Sequence, residues 1–337
     1  MGLLVEHPCS KEVSAVNRDA VGAAGLVVAA ALSFVACTPR SKQAVAAEAK
    51  PASSSQASKP AEPSRAPSLT DARRGFTTRV VDPQPREDAA PSPPKGVLEL
   101  VKYPSSNGLL SAYVSPATAD ASRRPAIVWI PGGFSNGIDE GAWEDAPPEN
   151  DQTARAFREE GIVLFIPSLR GGNDNPGRRE FLLGEVDDVL AAADYVSKLP
   201  HVDPTRVFLG GHSTGGTLAL LVAQSSTRFR AVFAFGPVAD VYGYSDEIPS
   251  LADEDEAFVR SPIHFMATIR TPTFILEGAE QPSNARVLPK LAKAAKGAPV
   301  TGFAVKGADH FSVLAPLTRA IARQIVVDDG KAPFDLK

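Results

Sequence analysis

The chain has 337 residues, 43% of them hydrophobic, and a formal net charge of -4. That composition is ordinary for a globular protein, and so small a charge gives no electrostatic footing for nucleic acid or any other polyion. Two cysteines, Cys9 and Cys37, lie near the N-terminus, so a thiolate zinc cluster, a disulfide framework and a catalytic cysteine are excluded from the rest of the chain.

The first elements concern address. From Val21 to Ala36 an uncharged apolar run follows Lys11 and Arg18, the layout of a secretory leader with a basic start and an apolar middle. The run is shorter than the ~20 residues a membrane span needs. Phe34-Val35-Ala36-Cys37 resembles the lipobox of bacterial lipoproteins, with Phe34 where leucine is usual. The resemblance implies lipidation at Cys37 after residues 1–37 have directed export, and attachment of the mature protein to a membrane of the bacterial cell envelope. Residues 38–95 then carry ten of the thirty prolines, between Pro39 and Pro94, among Ala, Ser, Lys and Glu. Such a segment buries too little apolar surface to offset its ordering entropy, so it reads as a disordered tether with a reach of roughly 40 Å.

From Gly96 the texture changes to short apolar runs alternating with helical patterns, which predicts an α/β domain over residues 96–337 with a mostly parallel sheet. Eight strands are expected, at Val97–Tyr103, Leu109–Val114, Ala126–Ile130, Ile162–Ile166, Val207–Leu209, Ala231–Phe235, Thr273–Leu276 and Thr301–Val305. The first two suit a hairpin around Asn107-Gly108 with a loop longer than two residues, and the later ones, fully apolar, suit buried parallel strands. Helices are expected at Thr153–Glu160, Gly184–Lys198, Gly215–Gln224, Ala285–Lys296 and Leu314–Val326. Between Val241 and Arg270 there is room for a small lid, with Asp253-Glu254-Asp255-Glu256 as a solvated acidic run.

Chemistry concentrates at Gly211-His212-Ser213-Thr214-Gly215, a Gly-x-Ser-x-Gly between a strand and an apolar helix. A serine on a strained strand-to-helix turn needs neighbours without Cβ, and its hydroxyl then projects above the sheet as a nucleophile. A phosphate-binding turn would instead need a lysine where Gly216 stands, or a dinucleotide glycine spacing that is absent. The run Ala126–Ile130 opens into Pro131-Gly132-Gly133-Phe134, placed to supply one oxyanion donor at the Gly133 amide, with the Thr214 amide as the other. Of the five histidines, His310 falls after the last strand and before the last helix, where a general base belongs in the order serine, acid, histidine. His212 should point away from the site or pack beneath it. The acid should follow the strand ending at Leu276. Glu280 is the expected residue, with Glu277, Asp240 or no functional acid as alternatives.

These motifs, with Ser261-Pro262 and Ile269-Arg270-Thr271-Pro272-Thr273, resemble the α/β-hydrolase superfamily and, within it, the catalytic domain of the prolyl oligopeptidase family, from about Leu98 to Val327. The resemblance implies the α/β-hydrolase fold, an eight-stranded sheet flanked by helices, and a serine hydrolase that cleaves ester or small peptide bonds through an acyl-enzyme. No metal or organic cofactor is implied. Gln281 stands where the family usually has aspartate, and residues 38–95 cannot supply the N-terminal propeller that gates peptides in large members. A rival reading is a non-enzymatic surface lipoprotein that keeps the fold as a binding module.

Overall fold

The computed structural model describes residues 68–82, 88–119, 122–245, 247–248 and 251–336. All of them fall within one unit, Ala61–Lys337. The leader, Cys37 and the first part of the tether lie outside the described residues.

A short helix α1 (Leu69–Arg73) comes first, followed by β1 (Glu99–Ser105), β2 (Gly108–Val114), β3 (Arg124–Ile130), α2 (Arg155–Glu159), β4 (Val163–Pro167), α3 (Glu185–Val196), β5 (Val202–His212), α4 (Thr214–Ser225) and β6 (Val232–Phe235). Then come α5 (Glu254–Phe258), β7 (Thr273–Gly278), α6 (Leu288–Ala295), β8 (Val300–Val305) and α7 (Leu314–Val327). The strands form one sheet in the order β1-β2-β4-β3-β5-β6-β7-β8. Strands β1, β2 and β4 are joined antiparallel, and every pairing from β4 onward to β8 is parallel. All eight expected strands are present in this α/β-hydrolase architecture.

Alternation along β3 shows how the sheet separates two cores. Ala126, Val128 and Ile130 face a core shared with α3 and α4, whereas Ile127 and Trp129 face one shared with Phe157 of α2 and Ile321 and Ile325 of α7. Helix cover on both faces explains why the central strands are apolar throughout. β8 departs from that expectation: it closes the edge of the sheet, and Thr301 to Ala304 are exposed. The first hairpin is also tighter than expected. Ser105 pairs with Gly108, so only Ser106 and Asn107 form the loop.

The domain boundary needs a larger correction. Residues 68–82, assigned by composition to the disordered tether, are docked on the domain. Leu69 and Val80 are buried in the core that includes α3 and α4, and Asp82 is buried too. Two apolar side chains and a few polar anchors suffice here, because the domain offers a preformed surface and the strap needs no core of its own.

Candidate active site

Four elements converge at the C-terminal edge of the parallel strands. At the end of β5, Ser213 takes φ 56° and ψ -115°, a strained backbone held by its surroundings. The flanking glycines permit that turn. A Cβ on Gly211 would lie 2.4 Å from the Gly215 carbonyl oxygen, and one on Gly215 would lie 2.2 Å from that of Ile130. The Ser213 amide donates to the Phe235 carbonyl at 2.8 Å, which ties the elbow to the end of β6.

The residue just past β6, Gly236, has φ 57°, and a Cβ there would stand 2.3 Å from Cε1 of His310 and 2.7 Å from Oε2 of Glu277. Its bare backbone leaves the space in which these two side chains meet. His310 Nδ1 and Glu277 Oε2 are 3.0 Å apart, with Glu277 only 1% exposed. The other carboxylate oxygen of Glu277 accepts from the Gly278 amide at 2.9 Å. A carboxylate facing Nδ1 fixes the proton there and leaves Nε2 with the lone pair that a general base needs. The His310 amide is held in turn by the Pro282 carbonyl at 2.8 Å. No hydrogen bond joins Ser213 to His310 among the described residues; bonds between a nucleophile and its base commonly tighten only in the substrate complex.

Glu280 therefore does not face His310. It is exposed beyond the strand end, its amide bonded to the Ala308 carbonyl and its carboxylate 3.5 Å from the Gly307 amide. The reason lies in strand length: β7 runs on through Gly278, so Glu277 is still in register, opposite Ala304, and is buried within the sheet. Asp240 lies instead at the start of a 3₁₀ turn, Val241–Tyr244, where its charge acts on His264.

The two segments that carry the expected oxyanion donors adjoin each other. Thr214 is the first residue of α4, so its amide has no intrahelical acceptor. The Thr214 hydroxyl donates to the Gly133 carbonyl at 2.7 Å and thereby fastens the loop carrying the second amide. Asn136 Nδ2 donates to Glu185 and to the Arg170 carbonyl, and Asn173 donates to and accepts from the Ile138 backbone. Arg170 and Asn173 are thus buttresses of this loop, while Asp174 pairs with Lys102 at the surface.

Two residues gain roles that the sequence did not suggest. Tyr244 donates to or accepts from Thr217 at 2.8 Å and also faces the Ser213 side chain. Burial raises its phenol above the ordinary range, so it stays neutral. His212 packs its ring on that of His310, with centroids 4.6 Å apart, and its Nε2 lies 2.9 Å from the His310 carbonyl. A carbonyl only accepts, so Nε2 of His212 carries the proton, and Nδ1 is left to accept from the Gln152 carboxamide 3.3 Å away, whose two ends interchange by a flip. His212 does pack beneath the site, as expected, and there it braces the loop of the base.

Fold and site define the class: a serine hydrolase of the α/β-hydrolase fold. Residues 148–283 match the prolyl oligopeptidase family, a stretch that includes Ser213 and Glu277 and ends before His310, and the catalytic domain resembles that of this family. The uncharacterized peptidase YuxL of Bacillus subtilis is 32% identical over 128 residues, 34% of this chain and 18% of that protein. The chain thus spans about a fifth of that relative's length. Among solved structures, a puromycin-hydrolyzing peptidase of Mycobacterium tuberculosis superposes with a TM-score of 0.54 at 18% identity, over 72% of this chain and 41% of that one. An esterase of Pyrobaculum calidifontis superposes with a TM-score of 0.53 at 18% identity, over 69% and 86%. At such identities the structures share the fold.

Two outcomes follow from this geometry. Glu277→Gln should lower turnover of a chromogenic ester ~10³–10⁴-fold, because the amide holds the wrong imidazole tautomer, while Glu280→Gln stays near native. The reverse ranking would contradict the placement of the acid. The second concerns His212, whose imidazole is pushed down to about 4, chiefly by burial and next by the neighbouring His310. The unfolded chain then takes up this proton near 6.5 and the folded one only near 4, so stability is complete above the first value and falls as pH drops toward the second. The loss is on the order of 3 kcal/mol, and His212→Gln should flatten that part of a plot of melting temperature against pH.

Proposed function

We propose that this domain hydrolyses ester or short peptide and amide bonds through an acyl-enzyme on Ser213. The observation that carries the reading is the buried Glu277–His310 pair set against the Ser213 elbow, with Glu277 1% exposed and 3.0 Å from the ring. Ser213 Oγ attacks the carbonyl carbon of the substrate as His310 Nε2 takes the hydroxyl proton. The carbonyl oxygen becomes an oxyanion between the amides of Gly133 and Thr214, where the N-terminal end of α4 also favours negative charge. Collapse expels the alcohol or amine, protonated by His310, and leaves the acyl group on Ser213. Water then repeats the sequence on the ester, with His310 as base, and frees the acid. Glu277 keeps Nδ1 protonated throughout and stabilises the imidazolium between the two half-steps.

The pocket beside the nucleophile suggests what the acyl portion carries. Phe134 lies between Phe181 and Tyr244, with ring centroids 6.0 and 5.2 Å away. The adjoining narrow cleft is walled by Ile130, Phe134, Leu182 and Leu218. Such walls suit a small apolar group, and the names of the peptidases and the esterase similar to this chain are in keeping with either leaving group.

Ser213→Ala should abolish labelling by a fluorophosphonate probe and reduce turnover ~10⁶-fold, with the circular dichroism unchanged. Normal hydrolysis by this variant would rule out the mechanism.

Export and lipid attachment at Cys37 are part of the same proposal, supported by the apolar run and by Phe34-Val35-Ala36-Cys37. In cell fractionation, Cys37→Ser should move the protein from the membrane pellet to the soluble exported fraction. Retention on membranes after a salt wash would contradict lipid anchoring.

A further inference from the structure

The docked strap, residues 68–82, reaches the active site by two arms. In the first, the Asp82 amide donates to the Arg179 carbonyl at 2.9 Å, and the Asp82 carboxylate pairs with the Arg179 guanidinium. That guanidinium also donates to the Phe134 carbonyl, immediately after the Gly133 oxyanion donor, and lies 5.7 Å from the centroid of Phe181. In the second arm, Glu256 of α5 accepts from the Thr78 hydroxyl at 2.9 Å and from the Arg79 amide at 2.6 Å. Arg260, fully buried, completes this cluster: it donates to Glu256 at 2.6 Å, to Thr78 at 2.7 Å and to the Phe181 carbonyl at 2.9 Å. Both arms therefore end on the aromatic wall formed by Phe134 and Phe181, and the first ends one residue from an amide that must meet the oxyanion.

The geometry points to the strap as a positioning element of the catalytic site, in which Asp82 acts through Arg179 to hold the oxyanion loop at Phe134. A surface strap that served stability alone would need only its apolar contacts, Leu69 and Val80, which are far along the chain from Asp82 or lack its reach into the loop. Arg179 differs in kind. Its planar guanidinium bridges a carboxylate and a main-chain carbonyl at once, which a lysine's single ammonium does less well. Without Asp82 to orient it, the guanidinium loses the fixed geometry that restrains the Phe134 peptide. The peptide two units back along the loop, which carries the Gly133 N–H, then keeps only the Thr214 hydroxyl on the intervening Gly133 carbonyl to restrain it. Misplacement of a catalytic group by about 1 Å can cost ~10²-fold, and outright loss of one oxyanion donor ~10²–10³-fold.

The proposal rests on the acyl-enzyme reading of Ser213, and its test keeps the two apart. In the full chain, Asp82→Asn, Arg179→Met, Arg179→Lys and Leu69→Ala are compared with the native protein, with active sites counted by exhaustive fluorophosphonate labelling. For a chromogenic ester, kcat per labelled site should fall roughly 10–100-fold in Asp82→Asn and Arg179→Met with KM little changed, and the rate of labelling should fall in parallel. Arg179→Lys should recover part of the loss. Leu69→Ala should lower the melting temperature while kcat per labelled site stays within about twofold, since its packing energy does not pass through the loop. A kcat per labelled site near native in both Asp82→Asn and Arg179→Met, or an equal loss in Leu69→Ala, would overturn the positioning role. Labelling and turnover that survive Ser213→Ala would instead remove the acyl-enzyme reading, and the strap's role with it.

Discussion

A carboxylate buried at the end of a parallel strand, facing one nitrogen of one imidazole, is the constraint around which this domain is arranged. Glu277 is costly to bury unless its charge is matched, and the match comes from His310 on one oxygen and the Gly278 amide on the other. Several distant features serve that pair. Strand β7 continues in register through Gly278 so that Glu277 arrives at the correct height. Gly236 gives up its side chain so that the pair has room. The carbonyl of Pro282 and the ring of His212 hold the loop from which His310 projects.

The nucleophile and the oxyanion loop adjoin this pair, and hydrogen bonds to the main chain fix both. Ser213 keeps an unfavourable backbone conformation because β5, α4 and the Phe235 carbonyl over-determine it. The loop after β3 has little apolar content between Pro131 and Gly137, and its shape comes from Thr214, Asn173 and Arg179 binding the main chain between Gly133 and Ile138 and from its own Asn136 side chain binding the Arg170 carbonyl. Such a loop is preorganised only while each of those partners is in place, which is how a strap at the N-terminal side of the domain comes to bear on chemistry at the centre of the sheet.

Much of this was legible in the sequence, and the failures have specific causes. The central strands were readable because they are buried on both faces and apolar throughout, and Ser213 because glycines on both sides of a serine between strand and helix have few other uses. His310 followed from chain order. The acid did not, because the apolar run Thr273–Leu276 ends before the strand does: Glu277 interrupts the apolar pattern while remaining in the ladder, so a charge that belongs inside the sheet reads as the start of a loop. The strap was missed for a related reason. Averaged over residues 38–95 the composition is that of a disordered segment, and the partners that order residues 68–82 lie about a hundred residues or more away, at Arg179 and Glu256, where pattern and propensity carry no information. The acidic run ending at Glu256 has the composition of a solvent face, yet its last residue anchors that strap.

Glu277 holds His310 with its proton on Nδ1, which leaves the lone pair on Nε2 free to accept the Ser213 proton. Nitrogen-15 NMR of the imidazoles, with His310 assigned by its loss in a His310→Gln variant, reports the tautomer directly in the native resting enzyme. A neutral ring protonated on Nδ1, with that proton shifted downfield by a strong hydrogen bond, is the expected result. A His310 ring carrying its proton on Nε2, or averaging between the two nitrogens, would mean that Glu277 does not set the tautomer.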